Sequence, residues 1–226
     1  MRNITDIYLE YEIPSNLQEH MLRVAAVGQI IADSWIAKDE INDSFLISAL
    51  LLHDMGNILK FDLSNPSQLS TEDLSWLKRV QQKYQEKYGC DEHYATIKIA
   101  QELHLPPKIV EMLGMKENDA FRSSTHYALL SPDWSLKIKA YADLRVGPHT
   151  ILTIDERFDD ILVRYKGRSH KLGDVNYVEL RRQDAHELEK QLSAKTLIDL
   201  SKLCMNDIVP VVERLRKYTL PVGEDQ

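Results

Sequence analysis

Residues 43–57 read DSFLISALLLHDMGN, an apolar run that ends in a histidine and an aspartate. The apolar residues and His53 recur at steps of three and four, which is typical of one buried face of an α-helix. Asp54 follows about 100° around a regular helix, but near a helix end, with Gly56 close by, both side chains can reach one ion. A buried imidazole or carboxylate without a partner is costly, so this pair is expected to have polar or ionic partners.

Two other polar residues interrupt apolar helical stripes in the same way. His20 lies on the stripe of a helix that follows Pro14, and Asp143 continues the inner face of a helix over 134–146. Taken alone, His20 or His53 is most simply a core histidine bonded to a carbonyl group. An inward Asp143 is rare unless it pairs with an arginine or binds a metal.

The four residues together offer two imidazoles and two carboxylates from three helices. Such a mixed set suits a divalent cation such as Mn, Fe, Co, Ni or Zn. Four protein ligands on a six-coordinate ion leave positions open for water or phosphate oxygens, which is typical of a catalytic metal site.

The composition favours an ordinary globular protein. The chain has 226 residues, of which 43% are hydrophobic and 28% charged, and a net charge of -7. An acidic chain is a poor general binder of nucleic acids or anionic membranes. The two cysteines predict reduced thiols, and no secretory signal or membrane-spanning run is visible, so a cytoplasmic protein is expected.

The periodicity is helical nearly throughout and no strand pattern is convincing, so the sequence predicts an all-α fold. Residues 169–226 are expected to form a helical extension packed on the same domain as residues 1–168. The polar amphipathic helix within this extension would pack on the core or on a second copy of the chain. Loops are expected at 60–69 and 116–125. Helices are expected from Ser15 onward and over 42–56, 72–88 (capped by Ser70), 92–105, 108–115, 134–146, 154–166, 175–194 and 197–218, the last bent near Pro210.

The order of the polar residues resembles a known family. His20, the pair His53-Asp54 in LLHDMGN, and Asp143 in YADLRV are similar to the H…HD…D signature of the HD-domain superfamily of metal-dependent phosphohydrolases. The resemblance covers roughly residues 15–165. It implies an HD-domain-like helical bundle in which these four side chains bind one divalent metal ion.

One departure from the family pattern concerns the cation near the phosphate. Many members read HDIGK, whereas this chain has Asn57 at the lysine position. Lys60, one turn further on, is the candidate replacement. Arg23, one turn after His20, is expected either to clamp a substrate phosphate or to form an ion pair with Asp143 or Asp33.

Two further histidines and one arginine bear on the site. His93 begins a helix, so it is a candidate phosphate contact or second-metal ligand, or else a surface residue at a helix start. His126 is interpreted as a loop histidine. Arg145 lies two residues after Asp143, points elsewhere on that helix, and is expected to be structural.

The resemblance implies hydrolysis of a phosphoester of a nucleotide or another small phosphate ester. Asp54 would orient or deprotonate the attacking water, and Arg23, Lys60 or His93 would offset charge on the phosphoryl oxygens. Two alternatives are a metal-containing sensor that binds a nucleotide without turnover, and a helical interaction protein whose polar residues pair in the core.

Overall fold

In this computed structural model the described part of the chain, residues 2–64, 73–114, 124–167 and 171–221, forms eleven α-helices and one pair of two-residue strands. The prediction of an all-α fold is confirmed. No helix among these residues combines the length and hydropathy needed to cross a bilayer. The elements are β1 (Arg2–Asn3), α1 (Ile4–Glu10), α2 (Ser15–Asp33), α3 (Asp43–Leu52), α4 (Leu74–Tyr88), α5 (Glu92–Glu102), α6 (Pro107–Leu113), α7 (Ser124–Leu130), α8 (Trp134–Arg145), α9 (Ile154–Tyr165), α10 (Val175–Ser193), α11 (Met205–Leu215) and β2 (Thr219–Leu220).

Helix α2 brings the site together because it packs against α3, α8 and α11. Its middle is made of small apolar residues that are fully buried, from Ala25 to Gly28. A Cβ atom on Gly28 would lie 2.2 Å from Leu50 Cδ1, so α2 and α3 approach closely at this point. Further along the same pair of helices, His20 on α2 lies beside His53 at the end of α3, with their ring centroids 5.3 Å apart.

The C-terminal helices share the core with the rest of the chain. Helix α10 packs on α7, α8 and α9, and α11 packs on α2. Strand β1 pairs with β2 in an antiparallel ladder that joins Arg2 to Leu220. The predicted boundary at 168/169 lies outside the described residues. These strands could not be predicted from the sequence, because two residues are too few for an alternating pattern.

Several predicted helix ends were wrong. Helix α3 ends at Leu52 rather than near Gly56. Helix α4 begins at Leu74, because the Asp73 side chain caps it by accepting from Ser75 N, whereas the predicted cap Ser70 lies outside the described residues. The single helix predicted over 197–218 is divided: a 3-10 turn at Leu200–Lys202 precedes α11.

The turn after α3 lies directly against the first turn of α5. A Cβ atom on Gly56 would lie 2.1 Å from the backbone oxygen of Glu92 and 2.9 Å from Ala95 Cβ. The Gly56 N–H donates to Thr96 Oγ1 at 3.0 Å, which fixes the turn on α5. A glycine is therefore required at this position for space.

Substitution of Gly56 by alanine is expected to lower the free energy of unfolding by about 1–3 kcal/mol, because backbone atoms must move to admit the methyl group. Urea denaturation measures this loss. Gly114→Ala is the matched control, because the nearest atom to its added Cβ would be an ordinary 3.4 Å away. It is expected to change stability by less than about 0.5 kcal/mol. Equal losses in the two variants would contradict the packing argument.

Candidate metal centre

Three helices bring four polar side chains to one point. His20 Nε2 lies 3.2 Å from Asp143 Oδ1 and 3.5 Å from Asp54 Oδ2. His53 Nε2 lies 3.6 Å from each of the same two oxygens. The four residues that the sequence predicted as a cluster are therefore neighbours in space.

The end of α3 orients the imidazole of His53. The last carbonyl groups of a helix have no intrahelical partner, and Leu50 O lies 2.7 Å from His53 Nδ1. A carbonyl only accepts, so Nδ1 carries the proton and donates it. In the neutral ring the lone pair is then on Nε2, which faces the two carboxylates; metal-binding histidines are commonly held in this way.

The Nε2 atom of His53 is buried and has no hydrogen-bond partner. Its 3.6 Å separation from both carboxylates exceeds hydrogen-bond length. Ligand atoms about 2.1 Å from a common metal lie about 3.0–3.4 Å from their neighbours, close to the separations seen here. The orphaned nitrogen and its spacing therefore fit a divalent cation better than they fit direct histidine–aspartate bonding.

The electrostatics of the four groups are strongly coupled. Burial lowers the pKa of His53, but the carboxylates of Asp54 and Asp143 and the Leu50 carbonyl outweigh it and raise this pKa to about 9. Burial raises the pKa of Asp143, but the two imidazoles hold it well below its usual range. Without a metal the site thus stabilises a positive charge between its carboxylates.

The ligand atoms differ in their access to solvent. The side chain of His53 is 7% exposed and that of Asp143 is 51% exposed. Single donor atoms of His20, His53 and Asp143 lie within 4.8 Å of one another, and Asp54 reaches both imidazoles from the same end of α3. The Asp143 carboxylate therefore forms the accessible side of the cluster.

A cavity of about 590 Å³ opens beside the cluster, with His53 and Asp143 in its wall. Ligand sites of drug-sized molecules are typically about 300–1,000 Å³. The wall is largely apolar and carries a few polar groups that face the same space. It is formed by α6, α7, α8 and α10, with Glu111, Gly114, Ser124, Thr125, Tyr127, Ala128, Leu136, Lys139, Ala140, Leu144 and Arg181 as the other lining residues.

Two cations in this wall were missed from the sequence. Lys139 precedes Asp143 by one helical turn, so its place on the same face of α8 was a usable signal. Burial lowers the pKa of Lys139, which Asp143 and Asp54 oppose. Arg181 is one of two adjacent arginines in a polar helix, and nothing in the sequence distinguishes it from Arg182.

Arg23 forms neither of the two ion pairs that the sequence predicted for it. Its guanidinium donates to the backbone oxygens of Glu19 at 3.1 Å and Pro148 at 3.2 Å. Within the described residues it forms no ion pair with Asp143 or Asp33. It is not among the residues that line the cavity, and its predicted contact with a phosphate stays a prediction.

Lys60 and His93 meet at a shared carboxylate. Glu92 Oε1 lies 2.8 Å from Lys60 Nζ and 3.2 Å from His93 Nε2. Neither residue is among those that line the cavity. The catalytic role of Lys60 and the phosphate or metal contact of His93 therefore stay predictions, and the ion pair with Glu92 competes with both.

The interpretation of His126 as a loop residue was wrong. His126 belongs to α7, and its Nδ1 lies 3.1 Å from Asp184 Oδ2 on α10. The residues before 126 are polar and show no apolar period, so the start of α7 could not be predicted from them. The structural role expected of Arg145 is confirmed, because its side chain is fully buried and bonded to the Tyr141 hydroxyl and to backbone oxygens.

No family model, no curated protein and no solved structure matches the chain. The resemblance to the HD-domain superfamily therefore rests on His20, His53, Asp54 and Asp143 alone.

Proposed function

We propose that this protein is a metal-dependent phosphohydrolase of the HD-domain type, acting on a nucleotide or another small phosphate ester. One observation carries the proposal: two imidazoles and two carboxylates converge within 3.2–3.6 Å beside a cavity of about 590 Å³. An orphaned, buried His53 Nε2 in that cluster supports a metal ion over simple pairing.

His20, His53, Asp54 and Asp143 would hold the ion. When bound, such an ion lowers the pKa of water and polarises a phosphoryl oxygen. Mn, Fe, Co, Ni and Zn all suit this donor set. Asp143 would present the ligand atom nearest the cavity, because half of its side chain is exposed there.

Besides binding the metal, Asp54 would act as a proton acceptor. Its Oδ2 faces the two imidazoles, so we assign Oδ1 as the acceptor of the proton of the attacking water. The water oxygen bonds to phosphorus, the ester P–O bond breaks, and the proton passes to the leaving oxygen. The products are an alcohol and a phosphate.

The cavity suits a substrate with an apolar or aromatic part. Leu136, Ala140 and Leu144 form an apolar face on α8, and the ring of Tyr127 lies in the same wall. An aromatic ring adjoining apolar side chains can pack against the flat face of a nucleobase. The phosphate would then lie toward His53 and Asp143.

A substrate panel tests the proposed function. Metal-free protein is incubated with each of the five metals and with p-nitrophenyl phosphate, bis(p-nitrophenyl) phosphate and nucleotides. Turnover that requires added metal and stops with chelator is expected. Tight nucleotide binding without turnover would favour a sensor, and neither binding nor turnover would favour the helical interaction protein.

Metal binding is expected to raise stability, because a ligand that binds only the folded state stabilises it by mass action. At a metal concentration of 100 times the Kd the gain is about 2.7 kcal/mol. Differential scanning calorimetry with and without chelator, together with elemental analysis, measures the effect. In His20→Ala the metal-dependent shift is expected to vanish. An unchanged melting temperature after confirmed metal loss would contradict the proposed site.

A further inference from the structure

The wall of the cavity contains two cations for which the described part of the chain supplies no acidic partner at ion-pair distance. Lys139 on α8 and Arg181 on α10 both line it. Within the described residues neither side chain forms an ion pair, and the buried Nε atom of Arg181 lacks a hydrogen-bond partner. The Arg181 guanidinium does lie 6.0 Å from the centre of the Tyr177 ring, which is a neutral partner. A partly buried charge without an anionic partner is costly, so these residues are suited to an anionic ligand.

The neighbouring Arg182 differs from Arg181 because it forms ion pairs with acidic side chains. Arg182 Nη2 lies 2.7 Å from Asp159 Oδ1, and its Nη1 lies 3.3 Å from Asp155 Oδ1. The charge of Arg182 is thus neutralised by acids of α9, although its Nε atom, like that of Arg181, is buried without a hydrogen-bond partner. Among the residues that the structure describes, Arg181 has no acid at ion-pair distance, although it belongs to the same turn of the same helix.

The charges of the site limit the charge of the ligand. With the proposed divalent ion bound, the carboxylates of Asp54 and Asp143 cancel the charge of the metal. The acid Glu111 in the cavity wall has a side chain that is 68% exposed, so water and salt screen its charge, and it shares Lys108 with Asp133, each at 3.4 Å. The two positive charges of Lys139 and Arg181 are then left over, and a ligand with two negative charges would neutralise them.

We propose that the cavity binds a phosphate monoester dianion rather than a phosphodiester, with Lys139 and Arg181 binding its non-bridging oxygens. The inference rests on the proposed function, because it counts the charge of the bound metal. Arginine and lysine both form charge-assisted hydrogen bonds to phosphate oxygens. A diester has one negative charge and would leave one of the two cations unmatched.

Isothermal titration calorimetry of the metal-loaded protein tests this site without turnover. The probes are inorganic phosphate and dimethyl phosphate at about pH 8, where inorganic phosphate is mainly the dianion and a phosphate monoester, with its second ionisation at roughly pH 6, is fully so. Phosphate is expected to bind at least about tenfold more tightly than dimethyl phosphate. Lys139→Met and Arg181→Met are each expected to weaken phosphate binding about tenfold or more and to remove this preference.

Matched variants separate binding from folding. Lys190→Met changes an exposed lysine on α10 whose side chain is 80% exposed, and it is expected to leave both affinities unchanged. Arg181→Lys keeps the charge and is expected to retain part of the preference for phosphate. The melting temperatures of Lys139→Met and Arg181→Met are expected to stay level or rise, since each removes an unneutralised charge. A structural role would lower them.

Kinetics distinguish the two proposals. Efficient hydrolysis of p-nitrophenyl phosphate, with kcat/KM lowered by both methionine variants, supports the dianion site. Phosphate binding that depends on Lys139 and Arg181 without any metal-dependent turnover would support the dianion site and contradict the hydrolase. Turnover of bis(p-nitrophenyl) phosphate that neither variant changes would contradict the dianion site and leave the hydrolase standing.

Discussion

Replacement of Asp54 by alanine is expected to lower metal-dependent turnover of a phosphate ester by roughly 10²–10⁴-fold, the usual contribution of a positioned general base. The loss of a metal ligand adds to this effect, because Asp54 Oδ2 lies within 3.6 Å of both imidazole nitrogens. Steady-state kinetics on the best ester of the panel measures kcat and kcat/KM.

Two further variants separate the roles of this carboxylate. Asp54→Asn keeps the size of the side chain and an oxygen for the metal but weakens proton acceptance, so metal content should survive better than kcat. Asp39→Ala removes an exposed acid outside the cluster and is expected to leave kcat unchanged. An Asp54→Asn variant as active as the unmodified protein would rule out Asp54 as the proton acceptor.

Replacement of Arg145 by methionine is expected to lower the free energy of unfolding by about 3–5 kcal/mol, a loss typical of removing one partner of a buried ion pair. The ionic partner left behind is Glu189, whose Oε2 lies 3.7 Å from Arg145 Nη1. The Arg145 side chain is fully buried. It donates to the backbone oxygens of Leu152, Leu200 and Leu203 and to the Tyr141 hydroxyl. Methionine fills similar space but leaves these buried acceptors without a donor.

Urea denaturation followed by circular dichroism measures the loss in Arg145→Met. Arg214→Met is the matched control, because the Arg214 side chain is 63% exposed and its ion pair with Asp33 spans 3.7 Å. Surface pairs contribute about 0–1 kcal/mol, so a small change is expected. A loss below about 1 kcal/mol in Arg145→Met would show that the buried network contributes little to stability.

The four clustered residues could be predicted from the sequence because each interrupts an apolar stripe that would otherwise bury only hydrocarbon. Two helix starts could be predicted in the same way from their capping residues. Asp91 caps α5, and the Thr153–Glu156 capping box begins α9. These signals are local, since each depends on residues within one or two helical turns.

Other features depend on distant parts of the chain and left no local signal. Helix α1 has seven residues, too few for a clear period, and it is fixed by packing and by the Tyr8 hydroxyl, which donates to Leu51 O at 2.6 Å. Arg181 becomes part of the cavity only because α10 packs on α7 and α8. The division of the predicted C-terminal helix follows from Arg145, which binds the carbonyls of Leu200 and Leu203.

The hydrogen bonds from Arg145 to the C-terminal part of the chain limit how far the protein can be shortened for expression. An expression fragment ending at residue 168 would keep Arg145 and His126 but omit the Leu200 and Leu203 carbonyls that bind Arg145 and the Asp184 carboxylate that binds His126. It would also omit Glu189, which accepts from Tyr141. A minimal recombinant form that preserves Asp143 in place must therefore extend through residue 203 at least, although the residues that resemble a known family end some forty positions earlier.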